Sequence, residues 1–486
     1  MLDWWGKHGR GAAIALSAIL AAAALAAVLV TVATARPLDF LHIRTNLSHT
    51  ATRFSAGPDL ATSPDGSRVA VVWTEGYTAT VSRGHVYLRV ASEAGAGWSD
   101  KTSVFHSDRF AQAYDAAVAV TGTTAHVAYV VSRFGYDGAL SQMDVLYKRC
   151  DLSPSQALCD ASPEELVASV DASRETITWV DLTLDANENP HVVWVQYDAS
   201  RQGDIHYCAR DVISGWGSIE AVASAGDNNR PAIAWADGYA HVVWEEDAAH
   251  RILYWQRAES GQTISKALCL TQTLSPPSSP DVAAGLGRVF VVWERCADLD
   301  GSVCHTYNLA YRRSNDGGSD WGEKIREIGT DQETFSREYG SVSVSLEVPD
   351  FLKYLKPSIA LNGDGWPAVV WHAESPNDPS GTEYVIYHSY ASSGDPEDGL
   401  KWKVNTPSTL FTGTLGSAVI GVGRGDSSPV LHVAFMQQMS AEGWDIFYGS
   451  NEEDRYLHVY LPLVAKGYGG PTAASCAAAS GRCGVR

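Results

Sequence analysis

Two small aliphatic residues followed by an aromatic one recur seven times along the 486-residue chain, and this triplet constrains the fold more than any other feature. The copies are Val71-Val72-Trp73, Val127-Ala128-Tyr129, Val192-Val193-Trp194, Val242-Val243-Trp244, Val291-Val292-Trp293, Val369-Val370-Trp371 and Val433-Ala434-Phe435. The aromatic position falls at 73, 129, 194, 244, 293, 371 and 435, at intervals of 56, 65, 50, 49, 78 and 64 residues. The surroundings repeat too. Pro231 and Pro357 each open a short apolar strand, followed by a glycine turn, the triplet, a variable loop and a strand ending in Tyr254 or Tyr387.

An interval near 50 residues suits one four-stranded blade of a β-propeller. The triplets are continuous apolar runs, as strands covered on both faces require. Asp65-Gly66, Asp237-Gly238 and Asp364-Gly365 precede them and favour tight hairpins. The predicted class is all-β: a single propeller of about seven four-stranded antiparallel blades, or six if a degenerate end copy is not one, preceded by an N-terminal hydrophobic helix. Paired sandwiches are the competing arrangement. The longest interval, between Trp293 and Trp371, contains an insertion over 323–356.

The ends carry separate signals. Lys7 and Arg10 precede an uncharged apolar stretch from Gly11 to Ala35, long enough to cross a bilayer and followed by a basic residue, Arg36. Ala33-Thr34-Ala35 also fits a signal cleavage site. Residues 1–35 are therefore expected to be a signal peptide or signal anchor, 36–54 a linker or ring-closing strand, 55–466 the propeller, and 467–486 a flexible Gly/Ala/Ser tail. Leu457 to Val464 is a second candidate for the closing strand. The destination is extracytoplasmic, secreted or membrane-anchored. Eight cysteines fit an oxidising compartment: Cys150 with Cys159, Cys296 with Cys304, Cys476 with Cys483, leaving Cys208 for Cys269. Their spacing does not suit zinc. A net charge of −20 without a basic run argues against nucleic acid as partner.

Ser314-Asn315-Asp316-Gly317-Gly318-Ser319-Asp320-Trp321 fits the pattern Ser-x-Asp-x-Gly-x-x-Trp. It resembles the Asp-box of the bacterial neuraminidase (BNR) repeat, found in sialidase-like propellers, with Ser314, Asp316, Gly318 and Trp321 at the defining positions. Weaker versions run from Ser92 to Trp98, Ser214 to Trp216 and Ser393 to Trp402. The resemblance covers about residues 55–460 and implies a structural turn whose aromatic residue packs between sheets. It also implies a glycan-processing family with three carboxylate-binding arginines, a Tyr nucleophile paired with a Glu, and an Asp acid/base. Where the first of those arginines belongs, this chain reads Arg53-Phe54-Ser55-Ala56-Gly57-Pro58, which departs from the family's Arg-Ile-Pro motif. The nearest analogue is Asn229-Arg230-Pro231, in a middle blade.

Acidic residues follow several triplets: Glu75, Glu245, Glu294 and Glu374, with Glu246, Asp247 and Arg295 beside them. On equivalent strand ends they are expected to converge at one channel mouth. Solvated strand ends, a sugar-binding site with stacking Trp or Tyr, and a catalytic carboxylate pair all fit this pattern. Calcium suits the last two; no other cofactor and no metal cluster are indicated. His126, His191, His241 and His432 precede triplets on different blades, so packing or hydrogen bonding fits them better than metal ligation. The sequence reading is a glycan- or protein-binding propeller without the full sialidase constellation. Its candidate ligand residues are Glu75, Arg230, Glu245, Glu294, Arg295 and Glu374. An exo-acting glycoside hydrolase and a structural interaction domain of the cell envelope are the alternatives.

Overall fold

A computed structural model describes residues 45–50, 53–78, 81–92, 97–153, 156–271, 277–300, 303–321, 325–328, 356–374, 384–395, 399–404, 412–413, 415–423, 430–440 and 443–450. The apolar segment of 11–35, the Leu457 to Val464 segment, the tail, and Cys476 and Cys483 lie outside them. Among the described residues no helix is long and apolar enough to cross a membrane.

The described strands form six antiparallel sheets, and because the nine-stranded one joins two hairpin groups through the single pair Gly84–Ala113, they make seven units in chain order. Their innermost strands are Ser55–Thr62, Ala111–Val120, Thr176–Leu184, Asn228–Ala236, Pro277–Gly285, Ser358–Leu361 and Leu415–Gly423. Each innermost strand packs on the next, and the seventh packs back on the first, so the units close a ring as the blades of a propeller do. Each triplet lies on the second strand of its unit, where Trp73, Trp194, Trp244, Trp293 and Trp371 are fully buried between sheets.

Asp445 fastens the ring. Thr45–Asn46 pairs with Gly443–Ser450, so a segment from the beginning of the propeller is the outer strand of the seventh unit. Asp445 accepts hydrogen bonds from Asn46 Nδ2 at 2.6 Å, Ser48 Oγ at 2.9 Å, and the Thr50 amide and hydroxyl at 2.8 and 2.6 Å.

A two-part motif recurs between blades. His126, His241 and His432 bring Nδ1 to the hydroxyls of Tyr147, Tyr254 and Tyr448 at 2.7, 2.7 and 2.6 Å, and His191 meets Tyr207 in the same way. Burial pushes His126 and His432 down to about 3 and His241 to about 4, so these rings are neutral partners in hydrogen bonds. A Trp of the following blade then packs edge-on against three of these tyrosines. The pairs are Trp98 on Tyr448, Trp216 on Tyr147 and Trp321 on Tyr254, with ring centroids 4.7, 5.3 and 4.8 Å apart.

The three tryptophans end the Ser-x-Asp-x-Gly-x-x-Trp run and its two weaker versions. In the full run, Ser314 Oγ donates to Asp316 at 2.6 Å, Asp316 accepts the Asp320 N–H at 2.8 Å, and Trp321 Nε1 donates to the Gly318 carbonyl at 3.1 Å. Gly318 has φ +93°, and a Cβ there would overlap the Tyr254 hydroxyl. The side chains of Ser393 and Trp402 are not described.

Cys150 and Cys159 form a disulfide, and Cys296 is disulfide-bonded; the side chain of Cys304 is not described. The expected Cys208–Cys269 pair does not form, and both are free thiols. Cys208 packs at the interface of the second and third blades, Cys269 at that of the third and fourth. The third sheet stands between the two sulfurs, which disulfide geometry forbids.

Two outcomes follow. Gly318→Ala should lower stability by about 1–3 kcal/mol through overlap and a disfavoured φ, read as a lower urea midpoint; an unchanged midpoint would contradict the packing described. Asp445→Ala should cost about 3 kcal/mol by orphaning several donors and should speed native-state tryptic cleavage after Arg53.

Candidate functional site

The innermost strands share an irregularity that shapes the channel mouth. In every described innermost strand but the sixth, the register against the second strand shifts, as between Ala56 and Asp59, Asn229 and Ala232, and Ser278 and Asp281. The residue at the shift or just before the strand is left-handed: Gly57 (φ 56°), Asp115 (48°), Trp179 (56°), Arg230 (46°), Ser279 (50°) and Lys356 (34°). Five of the six are not glycine, so each holds strain of about 1 kcal/mol or more. Bulges of this kind re-aim side chains. Here they gather an acid, an indole, a guanidinium, a hydroxyl and an ammonium on consecutive blades.

Carboxylates of the preceding blade hold several of these bulges. Asp115 accepts the Trp179 N–H at 2.9 Å and the Thr178 hydroxyl at 2.7 Å. Glu245 accepts the Ser279 N–H at 2.8 Å, and Glu294 accepts the Lys356 N–H at 2.6 Å. Three residues further along, a second set of acids does the same. Asp59, Asp181 and Asp281 accept the N–H groups of Val118, Ile233 and Ile359 at 2.7, 2.8 and 2.8 Å. These three lie on alternate blades and are partly buried. Burial pushes Asp59 up to about 7, Asp281 to about 6 and Asp181 well above the ordinary range, against the lowering effect of their N–H bonds.

The sequence-expected residues therefore part company. Glu245 and Glu294 are the first residues after their tryptophans, Glu75 and Arg295 the second, and Glu374 the third. Alternation along a strand sends the first and second to opposite faces, so they do not make a single ring. Glu75 is buried and paired with Arg53 at 3.1 Å and Lys101 at 2.8 Å. Glu246 pairs with Arg251 within its own blade. Glu294 also accepts from Ser278 Oγ at 3.1 Å. Arg295 pairs its backbone with Pro277, and Glu374 ends its strand opposite Tyr384, its side chain not described.

Arg230 and Glu245 do come together, with Arg230 Nη1 at 3.3 Å from Glu245 and 3.1 Å from the Ser279 hydroxyl. The guanidinium lies 5.6 Å from the centroid of the Trp179 ring, which is 38% exposed. Burial, with Asp247 beside it, pushes Glu245 up to about 7 even though Arg230 and the Ser279 N–H favour the anion. Lys356 is half-buried, and its pKa is lowered by burial and then by the charge of Arg230, against the raising effect of Glu294. Its ammonium makes no ion pair or hydrogen bond among the described residues. The nearby Tyr197 hydroxyl donates to Asn229 at 2.7 Å, and burial raises it to about 12.

Trp179, Ser279 and Lys356, and the three axial aspartates, were absent from the sequence expectations. The aspartates had a legible signal: Pro58-Asp59-Leu60, Val180-Asp181-Leu182 and Pro280-Asp281-Val282 occupy one phase of the repeat. The bulge residues had none, since their identities differ from blade to blade. Among the described residues no group of three or more His, Cys, Asp or Glu is arranged to hold a metal, so the calcium expectation finds no site there.

No family model and no curated protein matches the sequence. Solved structures do. A Trypanosoma rangeli sialidase in complex with sialic acid is 9% identical, over 82% of this chain and 54% of that one, with a TM-score of 0.43; the chain thus spans about half of its length. A polysaccharide lyase of the PL25 ulvan lyase family is 9% identical, over 83% of this chain and 95% of that one, with a TM-score of 0.49.

The Glu245–Arg230 contact sets a pH dependence. Below about pH 7 Glu245 takes up a proton and stops neutralising Arg230. Binding of an anion at the mouth should therefore strengthen several-fold as pH falls through about 7, and Glu245→Gln should flatten that profile in calorimetric titrations. A profile unchanged by the substitution would refute the coupling.

Proposed function

We propose that this is an extracytoplasmic, sialidase-like propeller that binds acidic glycans at the channel mouth formed by its third to sixth blades. The carrying observation is the Arg230 guanidinium, held at 3.3 Å from Glu245 and 3.1 Å from the Ser279 hydroxyl and lying 5.6 Å from the centroid of the exposed Trp179 ring, with the half-buried Lys356 on the sixth blade. Glu294 offsets part of the cost of desolvating the Lys356 ammonium, and an anionic ligand would offset more of it. A carboxylate or sulfate between Lys356 and Arg230 supplies that charge. The half-exposed Trp179 indole offers a face to an adjoining pyranose ring, and the Ser279 hydroxyl can bond a sugar hydroxyl.

Binding is favoured over hydrolysis by where the carboxylates are spent. Glu245 is committed to the Arg230 guanidinium and to the Ser279 N–H. Glu294 and Asp115 are committed to backbone N–H groups of the next blade. The mouth thus offers cations and an aromatic platform, with its acids engaged in holding them.

A glycan array carrying neutral, carboxylated and sulfated saccharides, run alongside chromogenic glycosides, tests this reading. Retention of acidic glycans without turnover is expected. Arg230→Ala and Lys356→Ala should each weaken that retention about tenfold or more, as loss of a charge-assisted bond does. Preference for neutral glycans, or turnover, would overturn it.

A further inference from the structure

Apart from the mouth, the second blade presents an aromatic ring that is almost wholly exposed. The hairpin tip after Phe134 is closed by hydrogen bonds from Gly135 N to Ala139 O at 2.8 Å, Gly138 N to Gly135 O at 2.9 Å, and Ala139 N to Asp137 Oδ1 at 3.0 Å. This tip holds Tyr136 at 96% exposure. Its ring meets Phe110 edge-on, centroids 5.2 Å apart. Phe110 is itself fixed. Asp108 accepts the N–H groups of Phe110 and Ala111 at 2.7 and 2.8 Å, and the Phe110 carbonyl accepts the Phe134 N–H at 2.8 Å. The exposed Arg109 guanidinium stands 4.4 Å from the Phe110 centroid, with no ion pair among the described residues.

The position of this cluster relates it to the mouth. Phe110 immediately precedes the innermost strand Ala111–Val120, and Asp115 on that strand holds Trp179. At roughly 3.3 Å per residue the two places are about 15 Å apart along one strand. The tip also lies at the end of the blade from which that strand starts, since Ala111 pairs with Arg133 at the foot of the hairpin.

We infer that Tyr136, Phe110 and Arg109 form an outer subsite for a further residue of the same acidic glycan, so that the ligand is an extended polysaccharide reaching from mouth to rim. The inference rests on the acidic-glycan reading of the mouth. A single outward ring flanked by the exposed charges of Asp108, Arg109 and Asp137 suits the apolar face of a sugar with polar groups around its edge. A protein partner calls for a broader apolar centre. Arg109 matches one carboxylate or sulfate, and two subsites on one chain raise affinity beyond either alone.

Titration of the full chain with galacturonic acid and with a long oligogalacturonan separates the possibilities. The oligomer should bind more tightly than the monosaccharide. Tyr136→Ala and Arg109→Ala should each weaken oligomer binding about tenfold while leaving the monosaccharide unchanged, and Tyr136→Phe should bind as the parent does. If the parent binds the oligomer and Tyr136→Ala binds it equally well, or if both ligands lose affinity alike, the outer subsite is overturned and the mouth reading stands. If the parent binds neither ligand, the mouth reading fails and the subsite with it.

Discussion

The structure depends on a polar contact made from one blade to the next: an oxygen accepts an N–H or hydroxyl, or a hydroxyl reaches a carbonyl, on the neighbouring innermost strand. Asp59 reaches the second blade, Asp115 the third, Asp181 the fourth and Glu245 the fifth. Both Glu294 and Asp281 reach the sixth, and Ser358 the seventh at 3.3 Å. Thr62 closes the circle by donating to the Val422 carbonyl at 3.1 Å. Apolar packing between sheets is larger in total but does not set direction. These contacts fix the register of each blade on its neighbour, which is what a ring of nearly identical hairpins otherwise lacks.

The same contacts make a site possible. A left-handed residue that is not glycine relaxes unless its amide is held, and acids of the neighbouring blade hold Trp179, Ser279 and Lys356. The strain is offset at the seam, and the side chains are delivered to the mouth on strands, not on loops. A site on rigid elements keeps its geometry without the ligand. The acids at the mouth are therefore compatible with the anionic ligand proposed for it, because they are bonded to the backbone of the neighbouring blade.

The scaffold was legible because its signals are repeated and local. Seven triplets place seven buried aromatics, and one Ser-x-Asp-x-Gly-x-x-Trp run yields the turn that delivers Trp321 to Tyr254. The regular histidines proved to bond tyrosines, as their spread over separate blades suggested. The mouth was not legible in the same way. Glu75, Glu245 and Glu294 look equivalent after a tryptophan, yet a shift of one residue exchanges the faces of the strand. Cys208 and Cys269 were paired by elimination, which cannot see that a sheet stands between them.

Charge adds a last constraint on how such a mouth can work. The chain carries a net −20, while the mouth presents Arg230 and Lys356. An acidic polysaccharide approaching at low ionic strength first meets the repulsion of the whole molecule, and the two cations act only at contact. Physiological salt shortens that long-range field to about 8 Å but screens a half-buried pair much less. Moderate salt therefore favours this encounter, the reverse of a basic protein drawn to a polyanion by its overall field. Under the proposed acidic-glycan reading, selectivity would come from placement, an anionic group being held where a pyranose ring lies against Trp179 at the same time.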